Sequence, residues 1–587
     1  MSTAIATDFP GGLRRKTHGI CKEAGNSVDE CATLKVFRLR RQAGVQVRRQ
    51  AGVTAMVTTL AATLFAALGL KTAPANQAAQ PLPVIFVAGH GWGHGIGLAQ
   101  YGAYGYALHG WSYDDIVLHY YPGTTLGTAP VRKVRVLLSA GSKRVTVSSR
   151  SPFVVRDGAG RKHKLPAGTQ AFGPGLKLRL SAKKQKALPP PLFFSPGSEP
   201  LSFGGRAYRG QLRVKKAGPA LQVVNLIGLD SYLSGVVTSE MPDRWPAEAL
   251  AAQAVVARSY ALAHLHKGDF DLYPDTRSQV YGGIAAESPS ATEAVNETAG
   301  EVLLYKGAVA DTYFFSSSGG KTANVQDVWP TSKPEPYLVS VPDPYDTLSP
   351  YHNWGPLKFG AAVLGLRLHT PGPIVDFHAD VASSGRVRSL TLLGTKGQKT
   401  LSGGVVRSVL GLRSTWFRLG LLSLSKPKAA VVYGSSATLS GIVRGVTRVS
   451  LEAKAYGGSW KRTARLVPKH GAIAPVVKPK LPTDYRLESG GFRSVAVHLA
   501  VAPFVSLAAG SNGVSVSGLA RPVLPGAGVQ VQRLGTNGWA TVAQTKIGSD
   551  GTYQASLRLS PGDYRARVVA GRGFAVGISK TVTVIAP

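Results

Sequence analysis

Cysteine is almost missing from this 587-residue chain: there are two, Cys21 and Cys31. Both precede an apolar run, Val53 to Leu70, so a chain matured after that run would hold none. Disulfides, thiolate catalysis and a thiolate zinc site then drop out together. Acidic residues are also few, 31 Asp and Glu against 68 Lys and Arg, which leaves a formal charge of +37. Such a surface attracts polyanions without specifying which: nucleic acid, acidic lipid or anionic wall polymers. The basic residues are scattered, zinc-finger spacing is lacking and no basic helix stands out as a groove reader, so specific nucleic-acid binding is not expected. Anionic wall polymers stay in view as partners.

The run Val53 to Leu70, preceded by Arg48-Arg49 and followed by Ala73-Pro-Ala75, has the form of a secretory signal. A secreted or cell-wall-associated protein is expected. The alternative is a retained membrane anchor at 53–70, since about 18 apolar residues are just long enough to span a bilayer. Residues 1–75 are assigned to this N-terminal extension and signal segment. The length beyond it calls for two to four domains, each with ample core.

One carboxylate downstream of this segment stands out. In Asp230-Ser-Tyr-Leu-Ser-Gly-Val-Val-Thr-Ser-Glu-Met-Pro242, Asp230 is placed to cap a helix. Leu233, Val236, Val237, Glu240 and Met241 then recur on one helical face. An acid on a buried stripe is costly unless it is paired or protonated, and desolvation favours the protonated form. That is how a general acid is made, although a buried ion pair that merely orders the fold uses the same spacing. Helices are predicted over 230–241 and 246–264, the second opened by Pro246.

The run Tyr232-Leu-x-Gly-Val-Val-x-x-Glu-Met-Pro242, followed by Ala249-Leu-x-Ala-Gln-Ala-Val-x-Ala-Arg-Ser-Tyr-Ala261, resembles the core of the SpoIID/LytB family of peptidoglycan-acting proteins. The resemblance implies an α+β domain of SpoIID type and, in members with activity, a lytic transglycosylase whose catalytic Glu precedes Met-Pro, here Glu240. Some relatives carry zinc bound through Cys and His; those ligands are absent here, and no cofactor is expected.

Upstream lies Gly89-His-Gly-Trp-Gly-His-Gly-Ile-Gly-Leu-Ala-Gln-Tyr-Gly-Ala103. Glycine at alternate positions means a backbone with unusual torsions or one approached closely by another group. The P-loop Lys-Ser/Thr is missing, and no strand-Gly-helix frame suits a dinucleotide fingerprint. His90 and His94 have the spacing of metal ligands on a helix, but so glycine-rich a stretch makes a poor helix and no metal is expected. This element, with the following Tyr120-Tyr-Pro-Gly-Thr124, also resembles the family. In many relatives it lies downstream of the catalytic Glu, so a permuted connection is expected to bring it to the same place. His90, His94 and Gln100 are its candidates for touching glycan; a tight structural loop is the alternative.

Residues 131–228 alternate in short apolar runs and are predicted to be strand-rich, with a loop over Lys183 to Pro200. Tyr273 to Gly283 and Tyr313 to Gly320 mix aromatic, amide and hydroxyl groups, as sugar sites do. They resemble family segments too and supply Arg258 from the helix, then Gln279, Tyr281, Ser317 and Ser318, as substrate-binding candidates. The resemblance runs over 84–424.

Beyond it, Ser440-Gly441, Trp460, Gly471 and Asp484-Tyr-Arg486 recur as Ser517-Gly518, Trp539, Gly551 and Asp563-Tyr-Arg565. Two repeats, 428–505 and 511–587, are predicted as all-β immunoglobulin-like sandwiches, each with a buried Trp.

The resemblance implies cleavage of peptidoglycan glycan strands with formation of 1,6-anhydro-muramic ends. Hydrolysis would need a second carboxylate, for which Asp243 and Asp275 are available. The alternative, also implied by the family, is a non-catalytic wall-binding enhancer whose partner is a cell-wall amidase.

Overall fold

The computed structural model describes residues 81–585 apart from 182 and 511–512; the signal segment, its expected cleavage and both cysteines lie outside the described residues. Helices α1 (Gln100–Leu108), α2 (Tyr113–Tyr120), α3 (Leu229–Glu240), α4 (Ala247–Ala263) and α5 (Pro289–Glu297) gather around α4. Every α4 residue from Ala249 to Leu262 is buried, and its many alanines let the other four helices approach on all sides. Leu233, Val236, Val237, Glu240 and Met241 of the predicted stripe are each at most 1% exposed. The expected cap differs: Gly228 is the N-cap, and Asp230, in the first turn, accepts from Arg258 instead.

The strand-rich stretch forms a six-stranded antiparallel sheet in the order 133–142, 220–228, 211–217, 192–195, 153–156, 162–165, beside a four-stranded sheet of 206–208, 201–203, 145–149 and 168–172. The loop expected over Lys183 to Pro200 is a misreading, since Lys184–Ala187 and Leu192–Ser195 are strands. Leu192 and Phe194 turn inward while Phe193 takes the Arg156 guanidinium on its outer face, a period of two that the neighbouring prolines conceal.

Strand Val84–His90, which leads into the glycine-rich element, lies antiparallel between Asn353–Gly360 and Phe417–Ser425. Val84 pairs with Leu422 and Gly89 with Phe417, so the first strand of the region sits beside its last. The same sheet continues through Ser440–Arg444, and Phe86 stacks on Phe492 at 4.4 Å. One sheet therefore runs across the 424–428 boundary.

The C-terminal region is all β. In one unit Val449–Ala455 lies between Lys461–Leu466 and Thr483–Ser489; in the next Gly528–Gly535 lies between Gly538–Lys546 and Gly562–Val569. Tyr485 and Tyr564 are buried. Trp460 and Trp539 are not core residues: each is half-buried beside a hairpin, under the guanidinium of Arg486 or Arg565.

Candidate functional site

Positive φ at Gly91, Gly93, Gly95 and Gly97 alternates with Trp92, His94 and Ile96 in the segment that follows His90, the last residue of the first strand. The glycines are required by contact as much as by torsion. A Cβ on Gly95 would collide with the buried guanidinium of Arg386, and one on Gly97 with the Tyr313 carbonyl. Trp92 bridges to Ser317 in antiparallel fashion, 2.8 and 3.0 Å between backbone atoms, which ties the loop to the 316–320 segment. His94 is buried, and its Nδ1 accepts from the Ile96 amide at 3.1 Å, so the neutral ring carries its proton on Nε2. Burial pushes this imidazole down to about 3. A backbone hydrogen bond to Phe314 works against that shift.

Glu240 is the last residue of α3 and only 1% exposed. Two phenols respond to its charge. Burial, then Asp311 and Glu240, pushes Tyr260 up to about 12, and burial, with Tyr281 and Glu240, holds Tyr232 well above its ordinary value. Tyr232 donates to Gln279 Oε1 at 3.2 Å, and Gln279 Nε2 donates to the Ala257 carbonyl at 3.1 Å. From α1, Gln100 Nε2 donates to Gln253 Oε1 of α4 at 3.5 Å. Gln100 Oε1 and Gln253 Nε2 have no partner among the described residues although both side chains are buried. Two buried amides with unused hydrogen-bonding capacity thus meet where α1 packs on α4, the helix that follows the loop after Glu240.

The other expected binding residues divide by role. Arg258 is fully buried; it donates to Asp230 at 2.8 Å, the Glu301 carbonyl at 2.9 Å and the Val295 carbonyl at 3.2 Å, so it clamps α3, α4 and α5 rather than offering a free guanidinium. Tyr281 is buried with its hydroxyl on Asn225 Oδ1 at 2.9 Å. Ser317 donates to Asp346 Oδ2 at 2.9 Å, and Ser318 Oγ accepts from the Gly320 amide. His90 is half-buried and packs on Trp416 at 4.8 Å. Of the proposed second carboxylates, Asp243 is exposed and Asp275 is held by Arg277 at 2.7 Å, which keeps it below the usual carboxylate range.

Three comparisons bear on this arrangement. The family model SpoIID, described as stage II sporulation protein, matches residues 217–305, which hold α3, α4 and the Gln279–Tyr281 loop. Stage II sporulation protein D of Bacillus amyloliquefaciens is 30% identical over 268 residues, 42% of this chain and 71% of that protein. This chain belongs to the SpoIID family. Stage II sporulation protein D of Bacillus subtilis is 32% identical over 222 residues, 34% of this chain and 62% of that protein. The amidase enhancer of the same organism is 40% identical over 115 residues, 19% of this chain and 15% of that protein. The chain thus spans less than two thirds of both Bacillus subtilis relatives.

The SpoIID region also contains buried groups that sequence reasoning passed over. Asp346 accepts from Ser317 Oγ, the amides of Ser318 and Gly319, and His352 Nδ1 at 3.0 Å. Asp343 lies beneath α1 beside Tyr120, and burial, reinforced by Asp346, pushes its carboxyl up to about 7. Arg386, fully enclosed behind Gly95, is brought down to about 9 by burial and by Arg407. Gln253 falls inside a quoted stretch of family likeness and Asp346 inside the wider range 84–424, but nothing in their spacing separates them from ordinary surface polar residues. Among the described residues no group of three His, Cys, Asp or Glu is placed to hold a metal ion.

Proposed function

We propose that this protein cleaves peptidoglycan glycan strands as a lytic transglycosylase in which Glu240 is both acid and base. The observation that carries the reading is a carboxyl group enclosed at 1% exposure, in a SpoIID-family segment, on a helix packed against the one that bears Gln253. Protonated Glu240 would give its proton to the oxygen linking muramic C1 to the next N-acetylglucosamine, so that the C–O bond breaks and the leaving sugar departs as an alcohol. Glu240, now carboxylate, would take the proton of the muramic C6 hydroxyl as that oxygen bonds to C1, closing the 1,6-anhydro ring. The acid is regenerated and no water is consumed. A hydrolase would need a second carboxylate aligned with the first; Asp243 is exposed and Asp275 is taken up by Arg277. Neutral dipoles such as the Gln100 and Gln253 amides suit contact with hydroxyl and N-acetyl groups.

The apolar run 53–70 is read as the export signal that brings the protein to the wall. The two C-terminal β units are read as immunoglobulin-like modules whose basic loops hold it on anionic wall polymers.

The test is mass spectrometry of products from peptidoglycan, intact and peptide-stripped, treated with the protein and with Glu240→Gln. Anhydro-muramic ends should form and fall by roughly a thousandfold in the variant. Reducing ends in their place would overturn the transglycosylase. The 40% identity to an amidase enhancer favours a second reading, wall binding that stimulates a separate amidase. Binding without any product, together with faster release of stem peptides when a cell-wall amidase is added, would put that reading first.

A further inference from the structure

Scattered along the sequence, the positive charge is divided unevenly by the fold. The strand-rich stretch 131–228 holds 20 Lys and Arg against two acids, Asp157 and Glu199, a balance of +18 within the chain's +37. The rest of the SpoIID region, 84–130 with 229–424, holds 16 Lys and Arg against 20 Asp and Glu. One part of the region is therefore strongly basic, and the part that carries Glu240 is slightly acidic. Asp157 does not offset this at the surface, since it is 1% exposed and its carboxylate accepts from His163 Nε2 at 3.0 Å.

The cations gather at one edge of the six-stranded sheet. Lys162–Leu165 is its edge strand, and the alternation turns Leu165 inward and leaves Lys162 and Lys164 exposed, roughly 6.6 Å apart along the strand. Lys162 pairs directly with Arg156, which is exposed as well, so two like charges face each other across the ladder, an arrangement that destabilises a sheet. Beside this edge lies the hairpin of Lys177–Ser181 and Lys184–Ala187, tied to strand Gly168–Phe172 where the Gln170 amide exchanges hydrogen bonds of 3.0 and 3.1 Å with the Arg179 backbone. Leu178 is buried and anchors the hairpin; Lys177, Arg179, Lys184 and Lys186 are exposed. Among the described residues no carboxylate pairs with any of these cations. Lysine on an edge strand also blocks pairing with another chain, but a charge of either sign does that, and acids are missing here.

We infer that this edge and hairpin bind a linear polyphosphodiester, a polyol phosphate chain of the wall. Charge complementarity calls for a polyanion, and the surroundings of the cations select which one. Between 132 and 347 no large apolar side chain is exposed among the described residues, so the surface lacks the wedge that enters a lipid interface. No aromatic ring of 131–228 is exposed, and the outer face of Phe193 is already covered by the Arg156 guanidinium at 4.2 Å, so nothing is offered for stacking nucleic-acid bases. Lysine predominates at the edge and hairpin, a compact charge that meets phosphate from any direction, where a carboxylate polymer would favour the planar fork of arginine. Phosphates entering beside Arg156, Lys162 and Lys164 relieve the repulsion that the free sheet carries. Strand Ala220–Gly228 of the same sheet runs straight into α3, which ends at Glu240, so the polymer is gripped on the element that supports the proposed acid. The inference rests on the wall location proposed above and not on the chemistry of Glu240, and it places a grip inside the SpoIID region in addition to the C-terminal loops.

The experiment measures Kd by calorimetry with the full-length protein over a salt series, using a glycerol phosphate oligomer, a single-stranded oligonucleotide with the same number of phosphates, and phosphatidylglycerol vesicles. The glycerol phosphate oligomer should bind most tightly. Neutralising the edge and hairpin together, Lys162→Gln, Lys164→Gln, Lys184→Gln and Lys186→Gln, should weaken it by roughly thirtyfold and flatten the log–log salt dependence by about three. The same loss of charge at exposed lysines elsewhere in the SpoIID region, Lys267→Gln, Lys333→Gln, Lys358→Gln and Lys396→Gln, should weaken it by less than about threefold. The edge variant should melt no lower than the unchanged protein, because the like-charge pair at 156 and 162 is gone. Equal weakening in the two variants would mean attraction by net charge alone and overturns the inference, as does tighter binding of the oligonucleotide or the vesicles. Retention of the protein on sedimented cell walls tests the wall location by itself. Retention without binding of the oligomer would remove this surface and leave the wall reading, and binding of the oligomer without retention would remove the wall reading and leave the surface.

Discussion

Between residues 84 and 424 the interior holds Glu240, Gln253, Arg258, Gln279, Asp343, Asp346 and Arg386, each at most 1% exposed; from 431 onward the buried polar side chains among the described residues are Thr483, Ser494, Gln532 and Ser579. Both regions fold around apolar clusters, and one sheet runs through both. They differ in what they put inside. Moving an ion from water into a protein interior costs several kcal/mol even after relaxation, so a region with this many enclosed charges and amides gives up stability that the β units keep. The β units leave their charges at the surface, as in the Arg486–Glu452 pair at 2.7 Å, where both partners keep some exposure. Part of that cost is offset by contacts inside the region, as where Arg258 donates to Asp230, Val295 and Glu301 and Asp346 accepts from Ser317, Ser318 and Gly319.

The largest effect is expected where the SpoIID region is tightest. Gly95→Ala would force a side chain onto a backbone with φ of +93° and into the Arg386 guanidinium, which has no room to retreat. A loss of about 4 kcal/mol in a denaturant melt is expected, from torsional strain and overpacking together. Gly457→Ala in the first β unit, at φ +73° with open space around it, should cost about 1 kcal/mol. Equal losses at the two positions would erase the contrast between the regions.

Much of this contrast could be read in advance for apolar positions and little of it for polar ones. The stripe of α3, the all-buried α4 and the alternate glycines follow from periodicity and composition, because burial of Leu, Val and Ala and the torsions of Gly are local properties. The placement of strand 84–90 beside 417–425 follows from no local property, because the two segments come from opposite ends of the region. Asp343, Asp346 and Arg386 could not be singled out, because a carboxylate or guanidinium is buried by the distant segments that fold over it: Ser317 and Ser318 over Asp346, Gly95 over Arg386. Arg258 shows the same limit from the other side. Its position in a family run pointed to substrate, and contacts with Asp230, Val295 and Glu301, 28 to 43 residues away, made it a clamp.

Titration separates the two regions next. The Asp343 carboxyl moves from its ordinary 3.8 to about 7 in the folded protein. Between those values the native state keeps a proton that the unfolded chain has released, so this group makes stability fall as pH rises from 4 to 7. His94 acts in the opposite sense: with its folded value near 3, the unfolded chain binds the extra proton below about 6.5, and stability rises with pH over that range. The two partly cancel in the wild-type curve, so the informative quantity is a difference. Asp343→Asn imitates the protonated acid, and its stability relative to wild type should climb by roughly 3 kcal/mol from pH 4 to pH 7. A difference that is flat across that window would place the Asp343 carboxyl in contact with solvent.

The smallest effect belongs to the β units and asks whether their tryptophans are core. The Trp460–Arg486 contact at 3.9 Å reappears 79 residues later as Trp539–Arg565 at 4.2 Å, with 539 − 460 and 565 − 486 both equal to 79. What the repeat preserves is a cation resting on a half-buried ring at the edge of a hairpin, while Tyr485 and Tyr564 fill the interior. An exposed contact of this kind contributes about 0.5–1 kcal/mol. Trp460→Ala and Trp539→Ala should therefore each cost about 1 kcal/mol, add when combined because the two lie in separate units, and leave the proposed glycan cleavage unchanged. A core Trp truncated to Ala would cost roughly 3–5 kcal/mol. A loss of that size at either position would mean that the hairpin closes over its ring in solution, and that the β units, too, enclose part of what the repeat preserves.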